Sequence, residues 1–160
     1  MYAGGSRGGA SIRPFLFALA AIATLSACGP HRPSPPAPGE EVTLLTDDNR
    51  RLAARFYAAG AESPPALIAA AGPGESRSDW EPLALSVQRA GYAVLVFDPR
   101  GQGGSRRTAE PAPEGDEASW RAALYDYAAA YAAMTARGAD PAEVAVAAAD
   151  GQTPLAMAFA

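Results

Sequence analysis

The run VAVAAADGQTPLA, residues 144–156, reads as a short apolar strand, a tight turn and the start of a helix, with Asp150 at the turn. A carboxylate there can attack carbon and form an ester, which then needs a water activated by a base to break down. It can also cap a helix starting at Gly151, a role worth about 1 kcal/mol, and Asp-Gly is a common turn pair. The single imidazole among the 160 residues is His31. It lies in GPHRPSPPAPGEE, residues 29–41, where prolines favour extended chain and nothing holds a ring in catalytic geometry. Asp150 is therefore expected to serve the turn rather than to act as a nucleophile. The lone Cys28 excludes an internal disulfide, and Cys28 with His31 offers too few soft ligands for a metal. No metal and no cofactor is expected.

Bulk composition narrows the field further. A chain of 160 residues holds one domain more readily than two. Thirteen basic residues against 17 acidic ones give a net charge of -4, and no basic run exists, so nucleic-acid binding has no electrostatic support. Alanine dominates the 49% apolar fraction, and it buries little area per side chain. Nothing in the composition names a small-molecule ligand.

Residues 1–27 read as a secretory signal. Arg7 and Arg13 precede FLFALAAIATL, residues 15–25, an apolar run shorter than the roughly 20 residues a membrane span needs. Leu25-Ser26-Ala27-Cys28 follows and resembles the bacterial lipobox, whose cysteine receives diacylglycerol. That resemblance implies a lipid on Cys28 that partners the protein with a membrane, each buried methylene contributing about 0.8 kcal/mol. The implied location is the bacterial cell envelope, on the outer membrane or its periplasmic face in a Gram-negative cell. Residues 28–41 then form a Pro-rich tether, and 42–160 the domain.

The pattern along the domain alternates. Short strands are expected at Val42–Thr46 and Leu52–Tyr57, joined by the Asp47-Asp48-Asn49 turn. Ala66–Ala71 is a continuous apolar run broken by Gly72-Pro73-Gly74, and YAVLVF, residues 92–97, is the strongest strand. Between them Ser78-Asp79 is expected to cap a helix over Trp80–Ala90, ended by Gly91. Asp116–Arg137 reads as a long helix with an apolar stripe at Trp120, Leu124, Tyr127, Tyr131 and Met134. Strand Val144–Ala148 and a helix over Gly151–Ala160 follow. From residue 66 onward the order β-α-β-α-β-α implies an α/β fold: a mostly parallel sheet of about five strands flanked by helices.

Three motifs carry a family resemblance: GPGESRSDW after a strand, the Asp98-Pro99-Arg100-Gly101-Gln102-Gly103-Gly104-Ser105 loop after GYAVLVFD, and Asp140-Pro141 before VAVAAADGQ. Together they resemble the N-terminal half of the α/β-hydrolase fold, closest to bacterial esterases, lipases and dienelactone-hydrolase-like enzymes. The resemblance covers residues 42–160, so a partial α/β-hydrolase fold is expected. It implies that Gly72 supplies one oxyanion-hole amide and that Gly151, after the nucleophile position, supplies the other. The sequence departs from the family where His-Gly often stands, here Ala71-Gly72, and at the G-x-S-x-G elbow, here Ala148-Ala149-Asp150-Gly151-Gln152. The family's acid and His follow the nucleophile, yet ten residues follow Asp150 and none is His.

These departures lead to the expectation of a membrane-tethered lipoprotein whose hydrolase-like domain is catalytically inactive, a pseudoenzyme. Two other readings stay open. One is a hydrolase of esters or related small substrates, completed by a partner or a missing C-terminal half. The other is a ligand-binding module without chemistry. The outer edge of Val144–Ala148 is expected to be unpaired, which invites self-association through the sheet edge.

Overall fold

The structure, a computed structural model, describes residues 38–106, 117–149, 154, 156 and 157. The chain divides into two units, residues 1–34 and 35–160. The expected signal, Cys28 and His31 lie outside the described residues, as do Asp150 and Gly151. Among the described residues no helix is long and apolar enough to cross a membrane.

Five strands form one sheet in the order β1-β2-β4-β3-β5: β1 (Glu40–Leu45), β2 (Arg51–Tyr57), β3 (Ala66–Ala70), β4 (Ala93–Phe97) and β5 (Val144–Ala148). β2 pairs antiparallel with both β1 and β4, while β3 pairs parallel with β4 and β5, so four strands share one direction. Strands adjacent in the sheet but separated in sequence need crossovers. Helix α1 (Glu81–Arg89) joins β3 to β4, and α2 (Glu117–Ala136) lies between β4 and β5. This is the mostly parallel α/β sheet expected from the sequence.

Side-chain alternation in β4 explains how one strand serves two layers. Leu95 and Phe97 point into a core built with Leu44, Leu52, Ile68, Tyr127 and Met134 of β1, β2, β3 and α2. Val94 and Val96 point the other way, to Tyr57, Ala69 and Ala84 beneath α1. All five residues of β4 are buried, as befits a central strand covered on both faces. The Phe97 and Tyr127 rings meet edge-to-face at 5.3 Å, fixing α2 on the sheet.

Two local expectations are corrected. Helix α1 begins after Trp80 with no side-chain cap. Asp79 instead turns back to accept the Ser76 amide and hydroxyl at 2.8 and 2.9 Å, so its carboxylate closes the preceding turn. On α2 the buried positions are Ala123, Asp126, Tyr127, Ala130 and Met134, whereas Trp120 of the expected stripe is exposed. Alanines at 123 and 130 let the helix approach the sheet closely, which turns the larger side chains at 124 and 131 to half-buried flanks. Of the expected terminal helix, Pro154, Ala156 and Met157 are helical and its other residues lie outside the described set.

Candidate functional site

The C-terminal ends of the parallel strands are where crevices form in open α/β sheets. Here β3 runs out at Ala70, and the Ala71 amide still donates to the Phe97 carbonyl at 3.0 Å, so Gly72 leaves from a fixed point. Gly72 is buried. A Cβ placed on it would lie 3.3 Å from the Cβ of Ala149, the residue that follows β5. The loop after β3 and the end of β5 thus touch. Position 150 comes next in the chain.

Gly72-Pro73-Gly74-Glu75 is a tight turn, closed by the Glu75 amide donating to the Gly72 carbonyl at 3.0 Å. Pro at its second position and Gly74 at its third, with φ +83°, match the type II pattern, in which the third residue must adopt positive φ. The turn folds Glu75 back over Gly72. Its Oε2 accepts the Gly72 amide at 2.9 Å and the Trp80 indole Nε1–H at 3.0 Å. The amide that the family resemblance assigns to an oxyanion therefore already donates to a carboxylate of its own loop.

The glycine-rich loop after β4 is a scaffold. Asp98 is fully buried, and its carboxylate accepts the Arg77 amide and Nη1 at 2.6 Å each and the Gly104 amide at 2.8 Å. Ser105, in a short 3-10 turn over Gly103–Ser105, donates its hydroxyl to the Asp98 carbonyl and accepts the Ala53 amide at 2.8 Å. Arg77 also donates to Glu41 at 2.8 Å through Nη2, and Glu41 in turn holds Arg55. For Glu41, partial burial raises the pKa, but the hydrogen bonds from Arg55 and Arg77 outweigh it and hold the carboxyl below its usual range.

A second network fixes the other end of that loop. Arg100 donates its amide to Asp126 at 2.9 Å and its guanidinium to Asp126 at 2.7 Å and Asp48 at 2.8 Å. Burial pushes the Asp126 carboxyl up from its ordinary value, against the hydrogen bonds of Arg100. Burial also opposes the charge on Arg100, but the two carboxylates outweigh it and raise the guanidinium's pKa. Asp98 and Arg100 of the D-x-R-G-x-G-x-S motif are committed to these networks.

Among the described residues no group of three or more His, Cys, Asp or Glu is placed to hold a metal ion. A hollow of about 320 Å³ lies between β1 and α2, lined by Thr43, Leu45, Asp47, Ala128 and Ala132. It belongs to the opposite end of the sheet order, with β2 and β4 between β1 and β3, so it is not continuous with Gly72. Of the residues singled out in the sequence, the structure thus places Gly72 beside the chain leading to position 150. Glu75 and the Trp80 indole were not foreseen. The signal for Glu75 was its spacing: an acid three residues beyond a glycine across a Pro-Gly turn can reach back to that glycine's amide, as in a capping box.

No family model and no curated protein matches the chain. Solved structures do. The α/β hydrolase GrgF from Penicillium sp. sh18 is 22% identical with a TM-score of 0.65, over 77% of this chain and 41% of that one. An acetyl xylan esterase from Paenibacillus sp. R4 is 23% identical with a TM-score of 0.62, over 75% and 43%. The thermophilic carboxylesterase EstE1, cloned from a metagenomic library, is 23% identical with a TM-score of 0.58, over 78% and 41%. The chain spans about two fifths of the length of each, and at these identities the likeness speaks to fold alone. The strand order, the crossovers and these matches together make the described domain part of an α/β-hydrolase fold.

Proposed function

We propose that the chain is a lipoprotein, held at a membrane through lipid on Cys28, that presents a catalytically silent α/β-hydrolase-like domain. The observation that carries the silence is the bond from the Gly72 amide to Glu75. An oxyanion hole works by donors aimed at charge that develops during reaction, and losing one lowers kcat about 10²–10³-fold. Here the donor at the end of β3 faces a resident carboxylate, whose charge also repels a developing oxyanion. The residue after Ala149 is Asp150 rather than Ser, and the one imidazole in the sequence, His31, belongs to the Pro-rich stretch before β1. Residues 42–160 hold no imidazole to activate a water for hydrolysis of an ester formed on Asp150.

Hydrolysis of p-nitrophenyl acetate by the wild type and by Asp150→Ala tests the silence. Both are expected at the rate of buffer alone, and wild-type turnover that the substitution abolishes would overturn the reading. Labelling with palmitate tests the anchor: label is expected in the wild type and absent from Cys28→Ser, and label retained in the variant would refute it.

A further inference from the structure

We infer that the Gly72 amide and the Trp80 indole form a carboxylate-binding pair, and that Glu75 is its built-in competitor, which a ligand carboxylate displaces. The inference rests on the reading of this loop as a silent site and names what that site binds.

Two donors converge on one oxygen. The Gly72 amide and the Trp80 Nε1–H reach Glu75 Oε2 at 2.9 and 3.0 Å. Each donor is held by something other than Glu75. Gly72 is buried, follows the anchored Ala71, and packs against Ala149. Trp80 sits at the start of α1 and packs on the cluster of Tyr57, Ala69, Val94 and Val96. Withdrawing the Glu75 side chain therefore leaves both N–H groups in place and open to another acceptor, and an unmet donor is costly at the buried Gly72. Glu75 itself is half-buried, so its side chain has a route to water.

The donor types select the ligand. Both are neutral, which suits one delocalised negative charge. A phosphate dianion calls for a cation, and the loop's cation, Arg77, is committed to Asp98 and Glu41. The competitor is strong because its tether is short: an intramolecular group on a short linker acts at an effective concentration in the millimolar range. A ligand's apparent affinity falls by the fraction of time the pair is open.

The test uses the full-length chain in detergent, ¹⁵N-labelled, with Trp120→Phe so that Trp80 gives the one remaining indole signal of the two tryptophans. Acetate is the probe, titrated against chloride at matched ionic strength. Glu75→Ala is expected to bind acetate at least about tenfold more tightly than the Glu75 protein, ~1.4 kcal/mol, with the Trp80 indole N–H shifting on binding. Glu75→Gln, whose neutral amide is a weaker acceptor, is expected to fall between them. It carries the test by itself if the Ala variant does not fold. Equal acetate affinity in the Glu75 protein and the folded variants, or an indole signal that acetate never moves, would overturn the inference. Ester turnover would sink the silent-site reading without touching this result, so the two failures are separable.

Discussion

Gly103→Ala should be among the most damaging single-methyl additions to this domain. The new Cβ would lie 2.5 Å from Asp98 Cγ and 2.6 and 2.8 Å from its two carboxylate oxygens. Ordinary carbon contacts begin near 3.5 Å, so the carboxylate or the loop must yield by roughly 1 Å. Asp98 is fully buried, with a core strand on one side, and it is held by the Arg77 amide, the Arg77 guanidinium and the Gly104 amide at 2.6–2.8 Å. A shift of that size pulls at least one of these past hydrogen-bond range, and each charge-assisted bond is worth about 1.5–3 kcal/mol. The backbone at Gly103 has φ +43°, which adds about 1–2 kcal/mol for a residue with a side chain. The expected loss is roughly 3–5 kcal/mol, as for a buried ion pair forced apart. Gly74→Ala is the control: its φ is +83°, but nothing lies within 4 Å of the added methyl, so backbone strain alone applies. Urea unfolding followed by far-UV circular dichroism measures both, compared at equal m. If Gly103→Ala loses no more stability than Gly74→Ala, the claim that Asp98 is clamped in place is wrong.

Two further outcomes follow from the described contacts. The hydrogen bond from Arg100 lowers the Asp48 carboxyl from its usual 3.8, with burial opposing and Thr46 assisting. Its contribution is then fully present above the unfolded value and lost as pH falls through the lower folded value. Burial raises Asp126 above 3.8, so its linkage has the reverse sign: it favours the fold below the unfolded value and loses that contribution as pH rises through the folded one. Urea midpoints from about pH 3 to about pH 6 should therefore change with opposite slopes on introducing Asp48→Asn and Asp126→Asn, and parallel slopes would refute the assignment. Met134→Ala, at a side chain with no exposed surface between α2 and the sheet, should cost about 2–5 kcal/mol; a loss under about 1 kcal/mol would show that α2 does not carry the core.

The sheet was largely legible because its strands are short apolar runs bounded by glycine and proline. Val144–Ala148 matches its expected bounds, the expected Leu52–Tyr57 gains Arg51 at its start, and YAVLVF loses only Tyr92, which turns outward before β4. Side-chain roles were harder to read. Asp79 is a good cap type, yet Ser76, three residues earlier, competes for it. Asp126 looked like one acid on a long helix. Its partner, Arg100, is 26 residues away and is brought to it by the fold alone. Glu75 was overlooked because the family pattern directs attention to the amide of Gly72 rather than to what that amide touches.

The two arginine networks share a geographic fact. Arg77 and Arg100 brace the loops at the ends of β3 and β4, but each also grips the first hairpin, through Glu41 and through Asp48. The β1–β2 hairpin, residues 40–57, thus acts as an abutment for loops that come later in the chain. The mouth of the crevice takes its shape only once that early hairpin has docked, so insertions or deletions in the hairpin would be felt beside Gly72, through Arg77, as well as in the core that Leu44 and Leu52 help to build.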